Sequence, residues 1–321
     1  ALFRGDIDLA LVLPLTVLLV IAVVFRRYPF TPASPWPALA LALALILWML
    51  DTGRLVQKER DDFASAVFVE RNFYGALRVE DLGTIRQLQN GNVIHGREFL
   101  DADRFSEPTS YYARDSGLGL ALAELGKNGP LKVGVIGLGA GTIAAYGRRG
   151  DSYVFYEINP AVPAIAGRWF HFLGFSPAEK RIVLGDARLS LERENPQNFD
   201  LLAVDAFTSD SIPIHLLTAE GFEQYWRHLK PDGVLAVHVS NLYIDLAPVV
   251  AKAAAARGRV ARLVASRDDG KEAVDMSDWV LVTKNPDFFR RPALKTAASV
   301  PIPDSIRLWT DDYSNLWRSL R

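Results

Sequence analysis

The chain has 321 residues, half of them apolar, with a formal net charge of -1 and no cysteine. That length is a prior for one large or two modest domains. The near-zero charge carries no electrostatic signature of nucleic-acid binding, and the missing thiols exclude disulfides, cysteine zinc sites and thiol nucleophiles.

The apolar excess is concentrated in the first fifty residues. Leu9 to Phe25 runs without a charge; Arg26-Arg27 and a link with Pro29, Pro32, Pro35 and Pro37 follow; Trp36 to Leu50 is again charge-free. Each run is somewhat shorter than the ~20 residues that cross a ~30 Å hydrocarbon core, a mismatch that bilayer thinning or oligomerisation absorbs. The first run lacks a small-residue cleavage site and precedes a second run, so it does not read as a cleaved signal. We therefore expect a transmembrane hairpin over residues 1–52, with the lipid bilayer as partner. Further spans before Ala1 and a homo-oligomer are both compatible with it. Arg54, Lys58 and Arg60 on one side and Arg26 and Arg27 in the link leave the orientation open on charge alone.

From Phe63 to Phe99 the pattern changes to short alternating strands: Ala66 to Glu70, Ala76 to Glu80, Thr84 to Gln89 and Val93 to His95. Asn90-Gly91 is a strong hairpin signal. With the polar loop Asp101 to Ser116, this makes residues 63–116 a small antiparallel β domain and a substrate-covering loop. A helix over Leu118 to Leu125 opens a second domain, 117–321.

Within it, Lys132 to Ile136 reads as a buried parallel strand closed by Gly137, Gly139 and Gly141. Glycines let a backbone pass close under a ligand, and a helix start beyond them offers free N–H groups. A dinucleotide fingerprint would need glycine at Thr142; the G-x-G-x-G spacing instead suits S-adenosylmethionine. Three further strands end in acids: Tyr153 to Tyr156 in Glu157, Ile182 to Leu184 in Gly185-Asp186-Ala187, and Leu201 to Val204 in Asp205. Ligands of open α/β sheets sit outside those ends. There Glu157 can accept both ribose hydroxyls and Asp186 an adenine amino group. The fold class expected is α/β, a Rossmann-like methyltransferase-type domain. Because S-adenosylmethionine is a cytoplasmic metabolite, the domain is placed on the cytoplasmic side of the cell (inner) membrane.

After the polar connection Ala206 to Pro213, Thr218 caps a helix running to Leu229, and Lys230-Pro231-Asp232-Gly233 turns the chain into a strand, Val234 to Val239. A helix over Leu246 to Arg257 and strands Ala261 to Ser266 and Trp279 to Thr283 follow. The tail Trp309 to Asn315 pairs Asp311 and Asp312 with aromatics.

With these residues laid out, the chain from about Phe63 to Thr283 resembles the spermidine synthase (aminopropyltransferase) family, in particular the bacterial branch in which such a domain follows transmembrane segments. The resemblance rests on Asn90-Gly91-Asn92-Val93-Ile94-His95, Ser110-Tyr111-Tyr112, the glycine loop, Glu157-Ile158-Asn159, Gly185-Asp186-Ala187 and Val204-Asp205-Ala206-Phe207. It implies transfer of an aminopropyl group from decarboxylated S-adenosylmethionine to a small amine, without a metal. It assigns ribose to Glu157 and adenine to Asp186, with Ala187 beside it. Asp205 and Tyr111 become the catalytic pair, the aspartate orienting and deprotonating the amine. His95 and Tyr112 stand where the family has donor-contacting glutamines. Three family acids are missing: the glycine-loop aspartate is Ala140, the second catalytic-loop aspartate is Thr208 with Asp210 two residues on, and the glutamate after the active-site tyrosine is Ala113. Thr208, Asp210, Asp311 and Asp312 are the candidates for holding the amine. The undecarboxylated donor, with aminocarboxypropyl transfer, is therefore a competing expectation. Methyl transfer, acceptor-free cleavage or cyclisation of the donor, and a non-catalytic nucleoside sensor are the alternatives.

Overall fold

The computed structural model describes residues 12, 14–19, 21, 23, 36–91, 93–206, 213–241, 243–267 and 270–321. The chain divides into two compact units, Ala1–Asp81 with Gln89–Gly91, and Leu82–Leu88 with Asn92–Arg321.

In the first unit, helix α1 covers Trp36–Ala64, 29 residues. Its alternating Ala and Leu are strong helix formers, and Pro37 sits in the first turn, where a missing N–H costs nothing. Leu43, Leu47 and Leu50 are 57–58% exposed, and the helix continues beyond Leu50 into the charged stretch from Asp51. Among the described residues no helix is long and apolar enough to cross a membrane; most of the first expected span lies outside them. Strands β1 (Ala66–Asn72) and β2 (Gly75–Leu82) pair antiparallel, Asn72 opposite Gly75. The Tyr74 amide donates to the Asn72 side chain across the turn at 2.9 Å. Of strands β3 (Ile85–Asn90) and β4 (Val93–Phe99), only Gln89 and Asn90 belong to this unit and the rest to the second; Gly91 after β3 has a φ of +59°, which suits the expected turn.

The second unit is built on an eight-stranded sheet. After helix α2 (Gly117–Leu125) come β5 (Lys132–Ile136), β6 (Ser152–Glu157), α3 (Ala161–Trp169), α4 (Phe172–Phe175), β7 (Glu179–Leu184), α5 (Ala187–Arg193) and β8 (Phe199–Val204). They are followed by α6 (Ala219–His228), β9 (Leu229–His238), α7 (Ala247–Ala255), β10 (Val260–Ser266), β11 (Ser277–Thr283) and β12 (Ala298–Ser299). The order across the sheet is β12-β10-β11-β9-β8-β5-β6-β7. The stretch β9-β8-β5-β6-β7 is parallel, while β11 lies antiparallel between β9 and β10. This is a Rossmann-like methyltransferase-type fold.

The central strands read as apolar runs because both faces are covered. Val133 and Val135 of β5 and Leu201, Leu202 and Ala203 of β8 have no exposed surface, and each such Val or Leu contributes about 1.5–3 kcal/mol by burial. The chain leaves β5 for β6 on one side and returns as β8 on the other. That reversal of order opens a crevice at the carboxyl ends of β5 and β8.

Two expectations are corrected. Thr142–Tyr146, beyond the glycine loop, is one short 3-10 turn rather than a regular helix, because Gly147 turns to extended backbone directly after it. Lys230 to Gly233 does not stand between a helix and a strand but is a bulge inside β9, between the pairs Phe199–Leu229 and Leu201–Val234.

Candidate active site

All of the site described here lies in the second unit. Its floor is the glycine loop. Gly137 has φ +96°, and a Cβ there would lie 2.2 Å from the Asp205 carbonyl oxygen; Gly139 has φ +54°, and a Cβ there would lie 2.4 Å from the His95 carbonyl oxygen. Both positions therefore exclude a side chain twice over, by backbone angle and by contact. The Ala140 amide donates to that same His95 carbonyl at 3.0 Å. Ala140 is buried, and its methyl lies where a side chain on Gly96 would have to go.

Glu157 ends β6 in the crevice. Its Oε2 accepts from the Leu138 amide at 2.9 Å and its Oε1 from the Asn159 amide at 2.8 Å. Burial raises its pKa, although those backbone donors pull the other way. A carboxylate has about four lone-pair sites; the Ile158 backbone also bonds to Glu157, and the capacity left beyond these amides can accept a hydroxyl. His95 reinforces the fit to a nucleoside-like donor: its Nε2 is covered, without a hydrogen-bond partner among the described residues, as is the Thr142 hydroxyl. Burial lowers the His95 pKa, against the pull of the Asp205 charge, so the ring is neutral at neutral pH.

Asp205 follows β8 and is held on both oxygens. His238 Nδ1 lies 2.8 Å from Oδ1, and the Tyr112 hydroxyl donates to Oδ2. Burial pushes the carboxyl up, but the His238 partner and the Tyr112 hydrogen bond outweigh it and leave the pKa below the usual carboxylate range. Tyr111 stacks on His238 with ring centroids 4.5 Å apart, and Trp279 stacks on the same histidine at 4.9 Å. The Trp279 indole N–H donates to the Tyr111 carbonyl at 3.0 Å and fixes the tyrosine loop to β11. Burial, then the Asp205 charge, pushes both phenols well above their ordinary range, so both stay protonated. The result is a buried carboxylate inside a frame of aromatic rings at the crevice.

Asp186 follows β7 at the neighbouring strand end, where the Gly185 amide donates to the Glu157 carbonyl at 2.9 Å. It caps α5, its Oδ1 accepting from the Leu189 amide at 2.9 Å, while Oδ2 faces His215 Nε2 at 2.9 Å. Each oxygen has one partner and keeps a lone pair for a further donor. A cleft of about 840 Å³ is lined by Asp186, Leu189, His215 and Tyr313, and also by Asp311 and Asp312. Asp311 takes a bidentate pair with Arg188 at 2.6 and 2.7 Å and a hydrogen bond from the Thr218 hydroxyl at 2.8 Å. Arg188 lowers its pKa to about 2. Asp311, one of the candidates for holding the amine, is thus paired with Arg188.

The chain thus brings Tyr111, Tyr112, His95 and the glycine loop (Gly137, Gly139, Ala140, Gly141) around Asp205 and Glu157. Asp186, Ala187, Asp311 and Asp312 belong to the region at the start of α5. Thr208 and Asp210 lie outside the described residues. Sequence reasoning missed His238 and Trp279. The signal available for the first was a histidine at the carboxyl end of a strand neighbouring that of Asp205.

No family model matches the chain. Over 123 residues it is 34% identical to a polyamine aminopropyltransferase of Vibrio vulnificus, covering 36% of this chain and 40% of that protein. Over 177 residues it is 26% identical to a probable polyamine aminopropyl transferase of Bifidobacterium longum, covering 53% and 36%. It is also 30% identical over 128 residues to an N-terminal histidine N-methyltransferase of Emericella nidulans, covering 38% and 22%. The match spans at most 40% of these curated relatives' length. Among solved structures, spermidine synthase from Thermotoga maritima shares the fold with a TM-score of 0.51 at 16% identity, over 70% of this chain and 75% of that one. Two of these curated relatives are polyamine aminopropyltransferases by description, which are transferase enzymes, and the solved structure shares the fold.

Proposed function

We propose that this protein is a transferase that moves an aminopropyl or 3-amino-3-carboxypropyl group from an S-adenosylmethionine-type donor to a small amine and releases 5'-methylthioadenosine. The observation that carries the reading is the buried Asp205, ionised and held between His238 and Tyr112 at the crevice where Glu157 and the glycine loop meet. The sulfonium donor is already activated, so the protein must place a neutral amine in line with the carbon beside sulfur and remove a proton. Glu157 would hold the ribose and His95 a polar group of the donor, while the Asp205 charge would attract and orient the cationic amine. Thr208, Asp210 and Asp312 stay candidates for the far end of that amine. A neutral His95 ring can donate one hydrogen bond to a donor carboxylate but cannot pair with it as a cation.

The anchoring belongs to the same proposal. The exposed Leu43, Leu47 and Leu50 of α1 and the charge-free run Leu9 to Phe25 support a hairpin in the inner membrane, and a cytoplasmic S-adenosylmethionine-type donor supports the catalytic unit on the cytoplasmic side. Solubility without detergent of the full chain, recovered in the supernatant after membrane sedimentation, would overturn that part. The likeness to an N-methyltransferase favours methyl transfer as a second reading. Chromatography of the nucleoside product tells the two apart: 5'-methylthioadenosine for the first, S-adenosylhomocysteine for the second.

A further inference from the structure

Asp205 is poorly suited to be the proton acceptor in this reaction. Both of its oxygens already take hydrogen bonds, and its pKa lies below the ordinary carboxylate range. A base works best when its conjugate acid titrates near the working pH. An ionised carboxylate has no proton to donate, so the 2.8 Å contact between Asp205 Oδ1 and His238 Nδ1 must use a proton on Nδ1. That assigns the tautomer of His238 and places the ring's lone pair on Nε2.

The ring is also fixed in orientation. Tyr111 covers one face at 4.5 Å and 18°, and Trp279 stacks at 4.9 Å and 26°. Its Nδ1 edge is turned to Asp205, and the histidine is only 6% exposed. A carboxylate that sets the tautomer and stabilises the imidazolium, with neighbours that lock the ring plane, is the arrangement that makes a histidine a positioned base.

We propose that His238, oriented by Asp205, accepts the proton that the amine loses. This rests on the transfer reaction proposed above. An N–H bond of the acceptor ammonium breaks, its electron pair stays on nitrogen, and the proton passes to His238 Nε2. That pair then forms the C–N bond as the C–S bond breaks, its electrons returning to sulfur to leave a neutral thioether. The imidazolium, stabilised by Asp205, returns its proton to water. Among the described residues, the titratable and charged groups facing this pair include Asp205 beyond β8, Tyr111 and Tyr112 before α2, Asp275 through its field on Tyr111, and His95 on β4 through the field of Asp205. Trp279 on β11 adds no charge. Both phenols and His95 are neutral at neutral pH.

Two measurements test this on the full chain. The first is a nitrogen-15 spectrum of histidine-labelled protein with 5'-methylthioadenosine bound, His238 being assigned by its loss in His238→Asn. The expected neutral form carries hydrogen on Nδ1, and Asp205→Asn releases that preference. A hydrogen on Nε2 in the wild type overturns the proposal, whether or not the protein turns over any donor. The second is the pH profile of turnover. Asparagine can imitate the Nδ1 donor but cannot accept a proton, so His238→Asn should keep nucleoside affinity within about 2-fold, lower kcat by about 10²-fold or more and flatten the acid limb. Wild-type turnover with an unchanged profile in His238→Asn would show that the ring only holds Asp205. If the wild type releases no 5'-methylthioadenosine, the proposed reaction fails and the tautomer still decides the histidine.

Discussion

The Glu157 carboxylate takes the Leu138 amide at 2.9 Å, so the acid ending β6 is hydrogen-bonded to the glycine loop that follows β5. If Glu157 holds the ribose as proposed, recognition and loop geometry are coupled through one side chain. Glu157→Ala should weaken 5'-methylthioadenosine binding by about 1–3 kcal/mol, the scale of lost charge-assisted hydrogen bonds. Calorimetry measures it, and an unchanged affinity would remove the nucleoside from this end of the crevice.

Gly137 brings β5 and Asp205 together. Replacing it by alanine places a Cβ 2.2 Å from the Asp205 carbonyl oxygen at φ +96°. A strained non-glycine backbone of this kind costs of order 1–3 kcal/mol before the clash is counted. The variant should therefore melt at a lower temperature and lose turnover together. Wild-type stability in denaturant titration would mean that the close approach is not real.

Two pH effects have the same sign in different pH windows, because both groups titrate lower in the folded chain than in the unfolded one. Burial lowers the His95 pKa, so the unfolded chain binds this proton more readily than the folded one. Stability must then fall as pH drops below about 6.5, the ordinary value, and His95→Gln should flatten that slope. Asp311 is depressed from 3.8 to about 2 by Arg188. Its contribution is present above the ordinary value and is lost as pH falls toward 2. The group is largely exposed, so the contribution is at most about 1 kcal/mol. Asp311→Asn should remove only that acid step, read by denaturant titration at a series of pH values.

The sheet was legible because its centre is buried on both faces. β5 matched its apolar run end to end, and β6, β8, β10 and β11 differed by one or two residues at a terminus. β7 was read only over its last three residues, because Glu179-Lys180-Arg181 begins a mostly exposed edge strand where burial imposes no apolar pattern. The acids at strand ends could be found because a parallel sheet delivers them to one place. Their partners could not. His238 reaches Asp205 from 33 residues away, and Arg188 meets Asp311 across 123. No local pattern records such pairs, and so Asp311 read as a free acid.

On the proposed reading, Ala140 is the position that would set which donor the crevice accepts. Its methyl packs in a buried corner against Gly96, beside His95. A carboxylate here would repel the carboxylate of intact S-adenosylmethionine by about 1 kcal/mol or more. Alanine removes that rejection. In a competition between the two donors the wild type should tolerate or prefer the undecarboxylated one, and Ala140→Asp should shift the preference toward the decarboxylated one. An unmoved preference would reduce Ala140 to a small residue in a tight turn.

The central claim is group transfer at Asp205, and one chromatogram tests it most directly. Purified full-length protein is incubated with a panel of small amines and each donor in turn, with Asp205→Asn run in parallel. The account predicts 5'-methylthioadenosine together with an alkylated amine from the wild type, and at least about 10²-fold less from the variant while its nucleoside binding is retained. S-adenosylhomocysteine as the product, or equal 5'-methylthioadenosine from wild type and Asp205→Asn, would contradict it.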